Sequence, residues 1–221
     1  MKKLLLSTVV AAGALLATGA QAALVISGGS SAAISAGSDN NTALAALNLT
    51  DPLSGVLGGQ ISTDGASAGT VTFTYLGYEA GAVNTFSYLG SQLFATPGVD
   101  TGNNFVVKNE VSSAFGVSAS TLLDFAFGTS VSGAGSVANG SNPDVTNGPL
   151  AINFFASQVD ANTILLFLDD TGGYPGNDDN HDDMVIRVSF SPVTTFVPEP
   201  ASLALFGAGL LGLGLARRRK A

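Results

Sequence analysis

Six aspartates fall between positions 169 and 183: Asp169, Asp170, Asp178, Asp179, Asp182 and Asp183. Gly172, Gly173, Gly176, Asn177 and Asn180 are interleaved with them, and apolar runs at 164–168 and 184–190 flank the segment. Pairing those runs as strands would bring the carboxylates together. Like charges about 5 Å apart repel by about 3 kcal/mol at an effective dielectric of about 20, so a compact loop favours a bound cation. Hard oxygen donors in an irregular loop select Ca2+ over metals that seek thiolates. The expected ligands are Asp169, Asp170, Asp178, Asn180, Asp182 and Asp183. Known calcium patterns fit in part. Asp178, Asn180 and Asp182 have the alternate spacing that opens an EF-hand loop, but Asp183 stands at the glycine position and Ser189 where the closing Glu belongs. The competing reading is a solvated hairpin loop whose Asp and Asn side chains cap turns.

Other side chains offer less. His181 is the only histidine, and without a cysteine a tetrahedral zinc site would need carboxylates at most of its positions, so a surface or strand-entry position is expected for it. Glu79 or Glu110 could partner an aspartate in a carboxylate-based glycosidase. Paired carboxylates are unavoidable in so acidic a chain, however, and the expectation is that the protein is not an enzyme. Tyr75, Tyr78 and Tyr88 could stack on sugar rings in a calcium-dependent carbohydrate- or surface-binding module, although alternation along a strand fits a core or sheet face better.

The formal charge of −8 over 221 residues hides a partition. Six of the eight basic residues lie at the two ends, which leaves Lys108 and Arg187 against fifteen acids between residues 23 and 196, a net of −13. A body of that charge repels phosphates, so no nucleic acid partner is expected.

The body reads as strands. Val71, Phe73 and Tyr75 alternate with smaller residues, the period of a pleated strand. Residues 72–77 recur almost unchanged at 85–90, which suggests a hairpin across the turn-rich segment 78–84. Residues 24–26 suggest a first strand, and further apolar runs lie at 104–108, 122–127, 150–156, 164–168 and 184–190. Residues 41–49 suggest a short helix, and 128–149 a long loop or a poor edge strand. With no helix of ten residues or more between strands, the expectation is all-β: an antiparallel, jelly-roll-like β-sandwich over residues 23–196.

The ends read as addresses. Residues 1–22 combine Lys2 and Lys3, an apolar run and the small-residue site Ala20-Gln21-Ala22, the layout of a signal peptide cleaved after Ala22. At the other end Val197-Pro198-Glu199-Pro200 precedes the uncharged stretch 201–216 and the basic tail Arg217-Arg218-Arg219-Lys220. Sixteen helical residues span about 24 Å, short of a hydrocarbon core of about 30 Å, so this hydrophobic helix reads as a transient anchor with its tail in the cytoplasm.

That C-terminal triad resembles the PEP-CTERM sorting signal, a tag also called the ice-binding protein C-terminal domain. The resemblance covers residues 197–221 and implies a Gram-negative bacterium that makes exopolysaccharide. It implies signal peptidase and exosortase as partners during export, passage through the inner membrane, and delivery to the cell surface, an extracellular matrix or the medium. Exopolysaccharide or surface glycans would be neighbours there. In the body, residues 73–81 with Asn84-Thr85-Phe86, and the run 178–185, are similar to stretches of exported proteins with the same tag, which imply no particular activity.

Overall fold

The computed structural model describes residues 23–65, 68–99, 101–143, 152–171, 180–193, 206–207 and 209–210. The chain enters at β1 (Leu24–Ser27), continues through Gly28-Gly29 into β2 (Ser30–Ile34), forms the short helix α1 (Ala43–Ala46), and returns as β3 (Leu53–Leu57) and β4 (Gln60–Thr63). Then follow β5 (Gly69–Tyr78), β6 (Asn84–Tyr88), β7 (Ser91–Ala95), β8 (Val106–Val111) and β9 (Phe115–Val117). The last strands are β10 (Phe125–Thr129), β11 (Ser136–Ala138), β12 (Asn153–Asp160), β13 (Thr163–Asp169) and β14 (Met184–Pro192). The all-β expectation holds, and the strand pairings among the described residues are antiparallel.

Two sheets share one core. The larger runs β2-β3-β12-β13-β14-β5-β8, with β9 also on β5, and the smaller runs β11-β10-β6-β7. Val71, Phe73 and Tyr75 of β5 turn the same face as Phe154 of β12, Leu166 of β13 and Ile186 of β14, and meet Phe86, Tyr88, Phe125 and Phe127 of the smaller sheet. Ring centroids approach to 5.0 Å for Phe73 and Phe86, 4.8 Å for Phe73 and Tyr88, and 5.5 Å for Phe125 and Phe154. Such pairs add about 0.5–1.5 kcal/mol each beyond the area they bury.

The 72–77 and 85–90 segments do not form the expected hairpin. β5 pairs with β14, β8 and β9, whereas β6 pairs with β10 and β7. The repeated aromatic positions face each other across the core instead of lying side by side, because the chain crosses between the sheets after Tyr78. Burying both sets of rings against each other removes more apolar surface from water than a hairpin with one wet face.

The second face of the large sheet is also covered. Leu165, Phe167, Val185, Phe155 and Leu76 pack under Ile34, Ala43, Leu44 and Leu53. Burial on both faces is why β13 is an unbroken apolar run with no alternation. The helix expected over 41–49 reduces to α1, four residues that contribute Ala43 and Leu44 to this layer. The segment 128–149 contains β11, a three-residue edge strand; its last residues, and the terminal segments 1–22 and 194–205, lie outside the described residues. Among the described residues no helix is long and apolar enough to cross a membrane. Of the stretch 201–216, only residues 206–207 and 209–210 are described, and they are helical.

β1–β2 and β3–β4 form one bent ribbon. The register passes straight through the bend, with Ser27 opposite Gln60 and Ser30 opposite Leu57. Gly28 and Gly29 have φ of 69° and 70°, the left-handed region that glycine occupies without a Cβ penalty. A Cβ on Gly28 would meet nothing within 4 Å, whereas one on Gly29 would run into Leu57 O, Gly59 N and Val56 Cγ1. Gly28→Ala is therefore expected to cost about 1 kcal/mol from its backbone conformation alone. Gly29→Ala is expected to cost at least about 2 kcal/mol more, because backbone must move as well. Urea unfolding checks the order, and equal losses at the two positions would contradict the account of the bend.

Candidate functional site

Antiparallel pairing of β13 with β14 sets Leu168 opposite Met184, so Asp169 and Asp170 leave the large sheet where Asp182 and Asp183 rejoin it. The same end of the molecule receives Glu79 from the exit of β5, Asn84 from the start of β6 and Asn153 from the start of β12. Asn41 and Thr42 arrive just ahead of α1. Glu79, Asn84, Asn153, Asp169, Asp170, Asn180, His181 and Asp182 are all buried. The pairing anticipated for the acidic segment thus holds for Asp169, Asp170, Asp182 and Asp183, while Asp178 and Asp179 lie outside the described residues.

The cluster divides into two hydrogen-bonded parts. In the first, Asp182 Oδ2 accepts from Thr42 N at 2.6 Å and Thr42 Oγ1 at 2.8 Å, and Asn41 Nδ2 donates to the carbonyls of Asn180 and His181. Asn41 Oδ1 accepts from Leu44 N at 3.1 Å, and Asn180 Nδ2 donates to Glu79 Oε2 at 3.2 Å. This part fastens the segment that carries α1 onto the second face of the sheet. In the other part, Asp170 N donates to Asp183 Oδ2 at 2.7 Å and Asn84 Nδ2 donates to Asp170 Oδ2 at 2.7 Å, linking the large sheet to the first strand residue after the crossing. Asp169 Oδ1 accepts from Thr171 N at 3.0 Å, an Asx turn.

Burial pushes the Asp182 carboxyl above its ordinary value, with the Thr42 and Ala43 donors and the neighbouring Glu79 carboxyl acting in the opposite direction. Asp183 is raised well above the ordinary value of 3.8. The residue keeps some surface, but its carboxyl is enclosed; burial contributes most, followed by repulsion from Asp170, with Asp169 and Asp182 adding to it. Neither body cation neutralises Asp182 or Asp183: Arg187 is exposed on β14, and the Lys108 ammonium lies 5.7 Å from the centre of the Tyr78 ring. Among the described residues no three His, Asp or Glu side chains close on one point as a metal cage would.

His181 stands at the entry to β14, one of the two positions expected for it, but it is buried and not on the surface. It is 2% exposed, with Nε2 2.8 Å from Asn153 Oδ1 and φ of 54°. Its ring is spent on the core of the joint, and its left-handed backbone turns the chain from the acidic segment into β14. Glu110 is exposed on β8 and takes no part, whereas Glu79 is at the centre. Tyr75, Tyr78 and Tyr88 are 1%, 5% and 3% exposed, so none presents a face to a sugar. Asn41, Thr42, Asn84 and Asn153 were not legible as site residues, because isolated polar residues ahead of short elements look like ordinary caps. Gly65-Ala66-Ser67-Ala68-Gly69 has the spacing of a nucleophile elbow, and Ala66 and Ser67 lie outside the described residues.

Beyond the body, a family model described as the PEP-CTERM protein-sorting motif matches residues 196–220. The chain carries this motif, which implies exosortase processing, export and sorting to the cell surface in Gram-negative bacteria. The matched segment contains Val197, Pro198, Glu199, Pro200, Arg217, Arg218 and Arg219, all outside the described residues, as are Ala20 and Ala22 of the expected signal-cleavage site. No curated protein matches the chain. No solved structure matches it either.

The raised carboxyls fix a pH dependence. A folded chain that holds protons on Asp182 and Asp183 more tightly than the unfolded chain binds more protons once the pH exceeds 3.8. The associated stability is full below that value and is lost as the pH rises through the raised values. In chelator, the melting temperature is expected to fall as the pH rises above 3.8. Asp183→Asn keeps an acceptor for Asp170 N and should flatten that slope and raise the melting temperature at the higher pH values. A metal-free melting temperature that climbs steadily with pH would refute this electrostatic account.

Proposed function

We propose that this is a non-enzymatic, exported surface or extracellular-matrix protein whose acidic β-domain is stabilised by calcium. The observation that carries the reading is the sorting motif at residues 196–220. A chain with that motif is expected to lose residues 1–22 to signal peptidase, rest briefly in the inner membrane through the stretch 201–216, and be cut by exosortase near Val197-Pro198-Glu199-Pro200. The two sheets that share the aromatic core support a sandwich of jelly-roll type as the delivered domain.

Calcium fits the donor set of the joint. Asp169, Asp170, Asp182 and Asp183 supply hard oxygens, and Asn84 Oδ1 is buried with no hydrogen-bond partner among the described residues while its amide nitrogen is held on Asp170. A cation there would relieve the repulsion that raises Asp183. With Asp178 and Asn180 completing the set, the ion would stiffen the connection between β13 and β14. Glycan binding draws no support from the three core tyrosines. Glu79 and Asp182 are both buried, which gives a carboxylate-based glycosidase reading no support from them.

Mass spectrometry of the protein recovered from the cell surface or medium tests the sorting reading. The expected species begins at Ala23 and lacks Arg217–Ala221, and a chain truncated before Val197 is no longer retained at the surface. A secreted protein with the basic tail intact, or unchanged display of the truncated chain, would defeat it.

A further inference from the structure

A body held in a membrane by both of its ends has to send the chain toward that membrane twice. The hydrogen bonds around the turn between β12 and β13 fix where the two departures lie. Leu24 N donates to Ala161 O at 2.8 Å and Asp64 N donates to Ala23 O at 2.9 Å, so the start of the body is bound beside this turn. Phe190 N donates to Asn162 O at 2.9 Å, Pro192 stands opposite Gly69, and Val193 N donates to Ala68 O at 2.9 Å, so β14 ends beside the same turn. Residues 1–22 precede the first of these points, and Val197 follows Val193 by four positions. The chain thus enters and leaves the body at one end of the large sheet. The acidic joint is at the other end: β13 runs from Thr163 beside the turn to Asp169 in the joint, about 20 Å at about 3.4 Å per residue.

The lengths of the connecting chain decide what this placement allows. Residues 18–23 separate the N-terminal apolar run from Leu24, and residues 194–200 separate Val193 from the uncharged stretch that begins at Ala201. Fully extended, these connections reach about 20 Å and about 24 Å. A strand such as β5, from Gly69 to Tyr78, is about 31 Å long. Departures at opposite ends of the sheet could not both reach one bilayer with the strands upright on it, whereas departures at one end can.

We propose that the folded body stands on the outer leaflet of the inner membrane through its Ala161–Asn162 end while both address segments are still attached, with the acidic joint turned away from the lipid. This rests on the sorting reading above and adds which surface of the body meets the membrane. A lipid surface suits that end. Val159 and Val193 are exposed beside the turn and offer apolar contact. The joint crowds Glu79, Asp169, Asp170, Asp182 and Asp183 at the opposite end, whereas Asp64 and Asp160 stand at this one. Anionic lipid repels the joint end more strongly, within the short range that salt permits. Tether length and charge therefore favour the same orientation, in which the carboxylates proposed to hold calcium face the solution that supplies it.

The test uses the full chain, residues 1–221, reconstituted with both address segments intact into vesicles of phosphatidylethanolamine and phosphatidylglycerol that carry a headgroup-linked contact quencher. The chain has no cysteine, so single substitutions place one fluorophore at a chosen point. Ala161→Cys reports on the turn, and Val107→Cys, opposite Gly77 on β8, reports on the joint end; both positions are exposed. The label at 161 is expected to be quenched severalfold more strongly than the label at 107. Val159→Cys is a second reporter at the membrane end, with the same expected result should Ala161→Cys fold poorly. Equal quenching at the two ends, or stronger quenching at 107, in chains that resist extraction by alkaline carbonate would overturn the orientation and leave the sorting reading standing. Chains that carbonate strips from the vesicles would overturn both.

Discussion

The repulsion among carboxylates buried where β13 ends and β14 begins is the constraint around which the domain is arranged. Ion burial is costly unless the charge is removed, paired or well bonded. Burial raises both Asp182 and Asp183, so holding a proton relieves part of this cost. What the cluster supplies in exchange is connection. Asp182 fastens Thr42, Asn41 gathers the carbonyls of residues 180 and 181, and Asp170 holds Asn84. Three separate parts of the chain are thereby tied to one end of the large sheet: the α1 segment, the crossing to the smaller sheet, and the turn into β14.

The two faces of that sheet impose different demands. One face is closed by a second sheet, which required the chain to cross after β5 and bring the repeated aromatic segments into opposition. The other is closed by a segment with little regular structure, whose own apolar surface is modest. Leu44 and Ala43 pack with Phe167 and Val185, and Asn41 and Thr42 just ahead of them are fastened to the acidic joint. The polar cluster therefore anchors the segment that carries this apolar layer, although it contributes little apolar surface of its own.

Much of this was legible in the sequence. Alternation of Val71, Phe73 and Tyr75 identified β5, and the apolar runs at 164–168 and 184–190 located β13 and β14 and predicted that their connecting aspartates would meet. Which strands pair was not legible at the 72–77 and 85–90 repeat, because alternation specifies a buried face and not the neighbour that buries it. β2, β3 and β4 were missed because Ser, Ala and Gly give no periodic signal, and their ribbon is defined by its partner strand and its glycine bend. That His181 enters a strand was legible but its burial was not, because a histidine among acids looks solvated until tertiary contacts supply Asn153. The sorting motif was fully legible, since a protease and a membrane recognise a linear pattern.

The central claim is that the joint carries more negative charge than a folded chain can hold without protons or a cation. Carboxyl-carbon NMR titration of Asp182 and Asp183, in chelator and then with millimolar calcium, tests it most directly. Both groups should titrate above 3.8 without metal, Asp183 further above than Asp182, and both should move downward when calcium is added. Titration of both at or below the ordinary aspartate value in chelator would contradict the account.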